Sequence, residues 1–116
     1  VLYSRHAAAI GAASVIAMPP YVRHPPAEEI YEFYAAVAAA AAGLSVWIQD
    51  YVAPVGTPMA PALLARMLRE IPSVEYLKEE TLLAPQVMTQ VQALAGPHLK
   101  GTMGGMAGRF LLEEYR

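Results

Sequence analysis

The feature that most constrains the fold is a regular alternation of short apolar-rich runs with amphipathic segments. Runs at 13–18, 44–49 and 74–78 have the composition of buried strands, and a fourth strand is predicted near 99–103. A strand with its following helix recurs about every 30 residues, which is the length of one βαβ unit. This alternation predicts a parallel sheet with right-handed crossovers, in a barrel or a doubly wound sheet.

Apolar residues at helical spacing, bounded by proline and glycine, predict the helices between these strands. The clearest pattern follows Pro61, where one face of the segment is apolar and the other carries Arg66 and Arg69. The predicted helices run from residue 1 to Gly11, from the prolines at 25 and 26 to Gly43, from Pro61 to Pro72, up to Gly96 and Pro97, and from Met106 onward.

Composition narrows the classes of protein to consider. The 116 residues are 56% hydrophobic and 16% charged, which predicts a packed domain, although a complete (β/α)8 barrel needs roughly 250 residues. A net charge of -2 with scattered basic residues predicts neither a nucleic-acid nor a membrane partner. The apolar stretches 7–18 and 34–48 are shorter than the roughly 18 residues of a spanning helix.

Cysteine and histidine usage bears on location and metal binding. The chain has no cysteine, which excludes disulfides and thiolate nucleophiles and fits a reducing compartment, so a cytoplasmic location is expected. His6, His24 and His98 lack the spacing of a metal site. We therefore expect no bound metal.

Three motifs in a fixed order carry a resemblance to a known family. They are Met18-Pro19-Pro20-Tyr21 with the segment 25–34 after it, the run 74–79 that contains Lys78, and the glycine-rich segment 101–105. Together they resemble the dihydrodipicolinate synthase and N-acetylneuraminate lyase family. The resemblance implies an α/β fold in which residues 1–116 are a fragment of a (β/α)8 TIM barrel, covering about strands four to seven and lacking strands one to three and eight.

The resemblance also implies a chemistry for Lys78. In this family the lysine that ends the sixth strand forms a Schiff base with pyruvate or a related 2-keto acid or sugar acid, without a cofactor, for aldol cleavage, aldol addition or dehydration. Such a lysine must be partly removed from water so that its amine is often uncharged. Composition and spacing alone favour an ordinary strand-end lysine that reaches solvent, and the family resemblance reverses that preference.

The two carboxylates after Lys78 oppose this role, because a nearby negative charge stabilises the ammonium form. Strand alternation sends Glu79 to the opposite face of the sheet, so Glu80 is expected to be the carboxylate close to the amine.

Of the tyrosine positions in the family pattern, one is kept here as Tyr21 and two are occupied by other residues, Gln49 and Val22. Gln49 aligns with the tyrosine of the family's proton relay, so a relay would use Tyr51, Asp50 or water; alternatively, Gln49 and Asp50 cap the next turn. Tyr21 matches the first of two tyrosines in the Pro-Tyr loop, while Val22 replaces the second. Tyr21 is either catalytic or packed against the barrel rim.

The remaining predicted site residues are substrate contacts. Gly104 and Gly105 are expected to let the backbone approach the substrate closely, and Asp50 is expected to contact it. The arginine that many dihydrodipicolinate synthases carry in the loop after the fifth strand has no match in 52–55, which argues against aspartate semialdehyde as a co-substrate.

The sequence also fits a second, non-catalytic function. The Gln49 replacement and the lack of the Gly-Thr-Thr-Gly-Glu segment, which holds the pyruvate carboxylate in the family, also fit a non-catalytic barrel relative or a half-barrel that serves binding or assembly. The full-length protein is expected to be a homo-oligomer, a tetramer or a dimer. The isolated chain is expected to be inactive.

Overall fold

Four parallel strands form a single sheet. The computed structural model describes residues 1–51 and 55–115, so the predicted loop over 50–57 lies partly outside the described residues. The strands are β1 (Ser14–Ala17), β2 (Ser45–Asp50), β3 (Val74–Glu79) and β4 (Gly101–Gly104), in the spatial order β1-β2-β3-β4. The predicted parallel sheet is confirmed.

In the part of the chain that the structure describes, one helix precedes β1, and one helix follows each of the four strands. They are α1 (Leu2–Ala9), α2 (Ala27–Ala40), α3 (Pro61–Glu70), α4 (Ala84–Ala95), which a short 3-10 turn at Gly96–His98 follows, and α5 (Leu111–Glu114). The prediction of a helix from Met106 onward is wrong for 106–110. Ala107 and Gly108 have φ values of 51° and 77°, which a right-handed helix cannot contain, so α5 begins only at Leu111.

The core lies on one face of the sheet. Val46 and Ile48 of β2 are buried beneath the helices, as strand alternation requires. Val74 and Leu77 of β3 are buried there too although they are three residues apart, because the β2–β3 register shifts between Val46 and Trp47. Sequential order in a parallel sheet with crossovers of one hand places the helices on one face, as in a barrel, whereas a doubly wound sheet carries them on both. The barrel alternative is the one that the fold supports.

The opposite face of the sheet carries a different set of side chains. Trp47 and Tyr76 stack there with ring centroids 4.4 Å apart and planes 14° from parallel. Ile16 and Met103, in the two outer strands, are each about half exposed. In the described part of the chain no helix covers this face, which we call the open face.

Two hydrogen bonds fix the chain segments that leave β1 and β2. The hydroxyl of the fully buried Tyr34, in α2, donates to the carbonyl of Ala17 over 2.7 Å. The hydroxyl of Thr57 donates to the carbonyl of Pro20 over 2.5 Å. The loop that contains Tyr21 is therefore held beside the segment that follows β2.

A pair of acidic residues is buried on the helix side, where β2 and β3 end. Asp50 and Glu79 are directly opposite each other in the register and are 1% and 0% exposed. Burial, together with the charge of Glu79, raises the pKa of Asp50 from 3.8 to about 8, and burial also raises the pKa of Glu79. Glu79 accepts a hydrogen bond from the Thr81 N–H over 2.9 Å, so Glu79 is the anion and Asp50 holds the shared proton.

This pair makes the stability of the fold depend on pH. Between pH 4 and about 8 the unfolded chain has ionised Asp50 while the folded chain keeps its proton, so the free energy of unfolding falls as pH rises through that window. Asp50→Asn supplies an uncharged donor to Glu79. We expect it to raise the free energy of unfolding at pH 8 by roughly 1–3 kcal/mol and to flatten its pH dependence.

Thermal melts of the complete natural protein between pH 5 and 9 measure this effect. Glu32→Gln, at an exposed position of α2, is the matched control and should follow the wild-type profile. Identical pH profiles for Asp50→Asn and wild type would contradict a shared proton at this site.

The open face and the helix α1 also predict self-association of the isolated chain. Leu2, Tyr3 and Ile10 of the α1 region are exposed, and β1 and β4 each leave one edge unpaired within the described sheet. We expect the 116-residue chain to form dimers or larger species in analytical ultracentrifugation. A monodisperse monomer with a cooperative melt would contradict this expectation.

Candidate active site

The candidate site lies where the strands end. The carboxyl ends of parallel strands meet at one edge of a sheet, which is where barrel enzymes place their functional residues. Gln49 pairs with Lys78 in the β2–β3 register, and Lys78 pairs with Met103 of β4. Because directly opposite residues share a face, Gln49 and Lys78 lie side by side on the open face.

Glu80 connects these two side chains. Its Oε1 lies 3.2 Å from the Lys78 Nζ, and its Oε2 accepts a hydrogen bond from the Gln49 Nε2 over 2.6 Å. The Lys78 side chain is 25% exposed and that of Glu80 is 12% exposed, so water screens this ion pair only in part. The expectation that Glu80, and not Glu79, approaches the amine is confirmed.

The backbone around Glu80 is held on both sides. The Glu80 N–H donates to the Asp50 carbonyl over 2.9 Å, and the Gly105 N–H donates to the Glu79 carbonyl over 2.9 Å. These two bonds continue the pairing of β3 with its neighbours past its end. Glu80 therefore occupies a fixed position above the sheet edge.

The two predicted glycines border carboxylate side chains. A Cβ at Gly105 would overlap the Cγ and carboxyl group of Glu80, and a Cβ at Gly104 would overlap the carboxyl group of Glu114. The close approach that glycine allows here is made by protein side chains. Contact of Gly104 and Gly105 with a substrate stays a prediction.

A cavity of about 510 Å³ opens next to Glu80 on the helix side of the strand ends. Asp50, Glu80 and Thr81 are among its polar lining, and Tyr51, Leu82 and Met106 are among its larger side chains. Asp50 thus faces this cavity and Glu79, on the other side of the sheet from Lys78. Its contact with a substrate stays a prediction.

Tyr21 is not brought into contact with Lys78 by any hydrogen bond within residues 1–51 and 55–115. It is half exposed in the loop that Thr57 holds. A catalytic role for Tyr21 stays a prediction.

The sequence did carry a signal for Glu80, since a residue two positions after Lys78 continues on the same side of the chain.

The described residues show neither a metal-binding cluster nor a membrane-spanning helix. Among them no three histidine, aspartate or glutamate side chains are grouped as ligands for a metal ion. None of the described helices has the length and apolar character to cross a membrane.

Comparisons with known proteins agree with this geometry. The sequence profile of the Dihydrodipicolinate synthetase family matches residues 1–106. The chain is 39% identical over 114 residues to an L-2-keto-3-deoxyarabonate dehydratase of Azospirillum brasilense, a match that covers 96% of this chain and 36% of the dehydratase. It is 33% identical over 78 residues to a 4-hydroxy-tetrahydrodipicolinate synthase of Nitratidesulfovibrio vulgaris, covering 67% of this chain and 26% of the synthase.

The fold has a counterpart among solved structures. The sialic acid aldolase of Ruminococcus gnavus superposes with a TM-score of 0.77 and 23% sequence identity, over 92% of this chain and 41% of the aldolase. The four βα units therefore have the arrangement of a segment of that barrel. With its profile match over 1–106 and its relatives among dehydratases and synthases, the chain belongs to the dihydrodipicolinate synthetase family.

Proposed function

We infer that the protein containing this chain is a lyase that forms a Schiff base between Lys78 and pyruvate or a related 2-keto acid. The observation that carries the proposal is the position of Lys78 at the carboxyl end of β3, on the open face, three-quarters buried and beside two polar partners. A strand-end lysine in ordinary solvent contact would lack that enclosure.

The chemistry needs a nucleophilic amine and an electron sink. The Nζ of Lys78 attacks the keto carbon, and the resulting iminium accepts the electron pair released when an adjacent C–C bond breaks or a hydroxyl group leaves. Aldol cleavage, aldol addition and dehydration all use this intermediate. Two relatives are named as a dehydratase and a synthase, and the solved structure that shares the fold is named as an aldolase.

The substrate class follows from the most extensive of these matches. The relative that aligns over 96% of the chain is named for a 2-keto-3-deoxy sugar acid, which has the keto group that an iminium requires. We assign the same class of substrate, a 2-keto acid or sugar acid, to the protein containing this chain. Gln49 lies close enough to Lys78 to orient a substrate oxygen through its amide.

Reductive trapping tests the Schiff base. Incubation of the complete natural protein with pyruvate and borohydride, followed by peptide mass spectrometry, should add the mass of reduced pyruvate to Lys78. Lys78→Arg keeps the positive charge but removes the nucleophile, so it should give no adduct. Lys100→Arg changes the other lysine of the chain, which pairs with Glu75, and should be trapped as wild type is.

Failure to label Lys78 in the folded complete protein, with pyruvate and with 2-keto-3-deoxy sugar acids, would overturn the proposal. That result would favour the alternative of a non-catalytic barrel module.

A further inference from the structure

We propose that Glu80 is the acid-base group of this site and carries a proton from the Lys78 ammonium to the water that leaves when the Schiff base forms. The inference rests on the proposed Schiff base at Lys78. It assigns to a carboxylate the proton transfer for which the aligned position, Gln49, has no suitable group.

The two oxygens of the Glu80 carboxylate have different partners and, in this proposal, different roles. Oε1 is 3.2 Å from the reacting nitrogen, within reach of a proton transfer once the substrate is bound. Oε2 accepts the Gln49 amide hydrogen over 2.6 Å, which fixes the orientation of the group. Gln49 cannot exchange protons as a phenol or a carboxylate does, so in this arrangement it acts by positioning Glu80.

The nearby titratable groups leave this task to Glu80. Asp50 and Glu79 form a buried pair on the opposite side of the sheet, where they share a proton with each other. Tyr51 lines the cavity on the helix side, and Lys78 is not among the described residues that line it. Within the described residues, Glu80 is the acidic side chain in contact with the Lys78 amine.

The burial of Glu80 also suits it to both halves of the transfer. Its side chain is 12% exposed while its Oε1 contacts the Lys78 amine on the open face. A group in that position can meet a substrate oxygen above the amine without first being exposed to bulk water.

Each step balances. Glu80 takes one proton from the Lys78 ammonium, and the neutral Nζ attacks the keto carbon, so a C–N bond forms while the carbonyl π electrons move to oxygen. One proton on nitrogen moves to that oxygen to give a carbinolamine. Glu80 then returns its proton to the hydroxyl group, the C–O bond breaks, water leaves and the nitrogen lone pair completes the C=N bond. One ammonium and one ketone give one iminium and one water, and Glu80 ends as a carboxylate.

The glycine after β4 is part of the same arrangement. A Cβ at Gly105 would occupy the space of the Glu80 Cγ and carboxyl group, so any larger residue there must push Glu80 aside. Gly105 has an ordinary φ value and is not required by backbone strain. Its function in this account is to leave room for the proton carrier.

Glu80→Gln separates this role from that of a simple ion pair, because the two roles predict opposite changes in the rate of trapping at Lys78. If Glu80 only stabilised the Lys78 ammonium, its loss would free the amine and speed trapping at pH 7. As a proton carrier, its loss should slow single-turnover trapping of pyruvate at Lys78 by about a hundredfold or more, with the pyruvate dissociation constant changed far less. Glu75→Gln, at the other end of β3, is the matched control and should keep the wild-type rate.

Chemical rescue adds a readout that a structural role does not move. Formate should restore at least about a tenfold increase in trapping rate to Glu80→Ala but not to Lys78→Arg, because a small carboxylic acid can replace the lost proton carrier but not the nucleophile. Gly105→Ala keeps the Glu80 carboxylate but forces it to move, so this variant should also trap pyruvate more slowly than wild type.

The outcomes are distinct. Slow trapping in Glu80→Gln together with formate rescue of Glu80→Ala supports the proposal. Trapping at or above the wild-type rate in Glu80→Gln, or slow trapping that formate does not rescue, overturns it while the Schiff base stands. Absence of any adduct in the wild-type protein overturns the Schiff base and, with it, this inference.

Discussion

The pairing of β2 with β3 is the interaction on which the site depends. Its register places Gln49 opposite Lys78 and, one residue later, Asp50 opposite Glu79. Consecutive side chains of a strand point to opposite faces. One short stretch of sheet therefore places the Gln49–Lys78 pair on the open face and the Asp50–Glu79 pair on the helix side. A shift of the register by one residue would bury Lys78 among the helices and expose the carboxyl pair.

The charged groups on the two faces of the sheet are stabilised in different ways. On the helix side, Asp50 and Glu79 are fully buried, and the site tolerates them because one proton is shared and the Thr81 N–H supports the remaining anion. On the open face, the charge of Lys78 is balanced by Glu80, which Gln49 in turn holds. Both arrangements depend on backbone bonds that extend past the strand ends, notably the one from the Glu80 N–H to the Asp50 carbonyl.

Much of the fold could be predicted from the sequence because its signals are local. Apolar runs and proline or glycine boundaries give the four strands and the helices α2 and α3, including the buried face that begins with Leu63 and Leu64. The last helix was predicted too early, because Ala107 adopts a left-handed conformation that its residue type does not reveal. The exposed face of α1, with Leu2 and Tyr3, reads as apolar packing surface but has no partner within the described residues.

The site was predictable only in part for a related reason. Alternation along β3 identifies Glu80 as the carboxylate near Lys78, since it depends on neighbours in one strand. The hydrogen bond from Gln49 joins positions 31 residues apart, and the space left by Gly105 depends on a third segment, so spacing alone does not reveal them.

The central claim is that Lys78 is a nucleophile served by Glu80, and a crystal structure of the complete protein after borohydride reduction with pyruvate tests it most directly. We predict a covalent bond between the Lys78 Nζ and the former keto carbon, on the open face of the sheet, with the Glu80 carboxylate within hydrogen-bond distance of that nitrogen. Pyruvate held without a covalent bond, or an adduct from which Glu80 is turned away, would contradict the account.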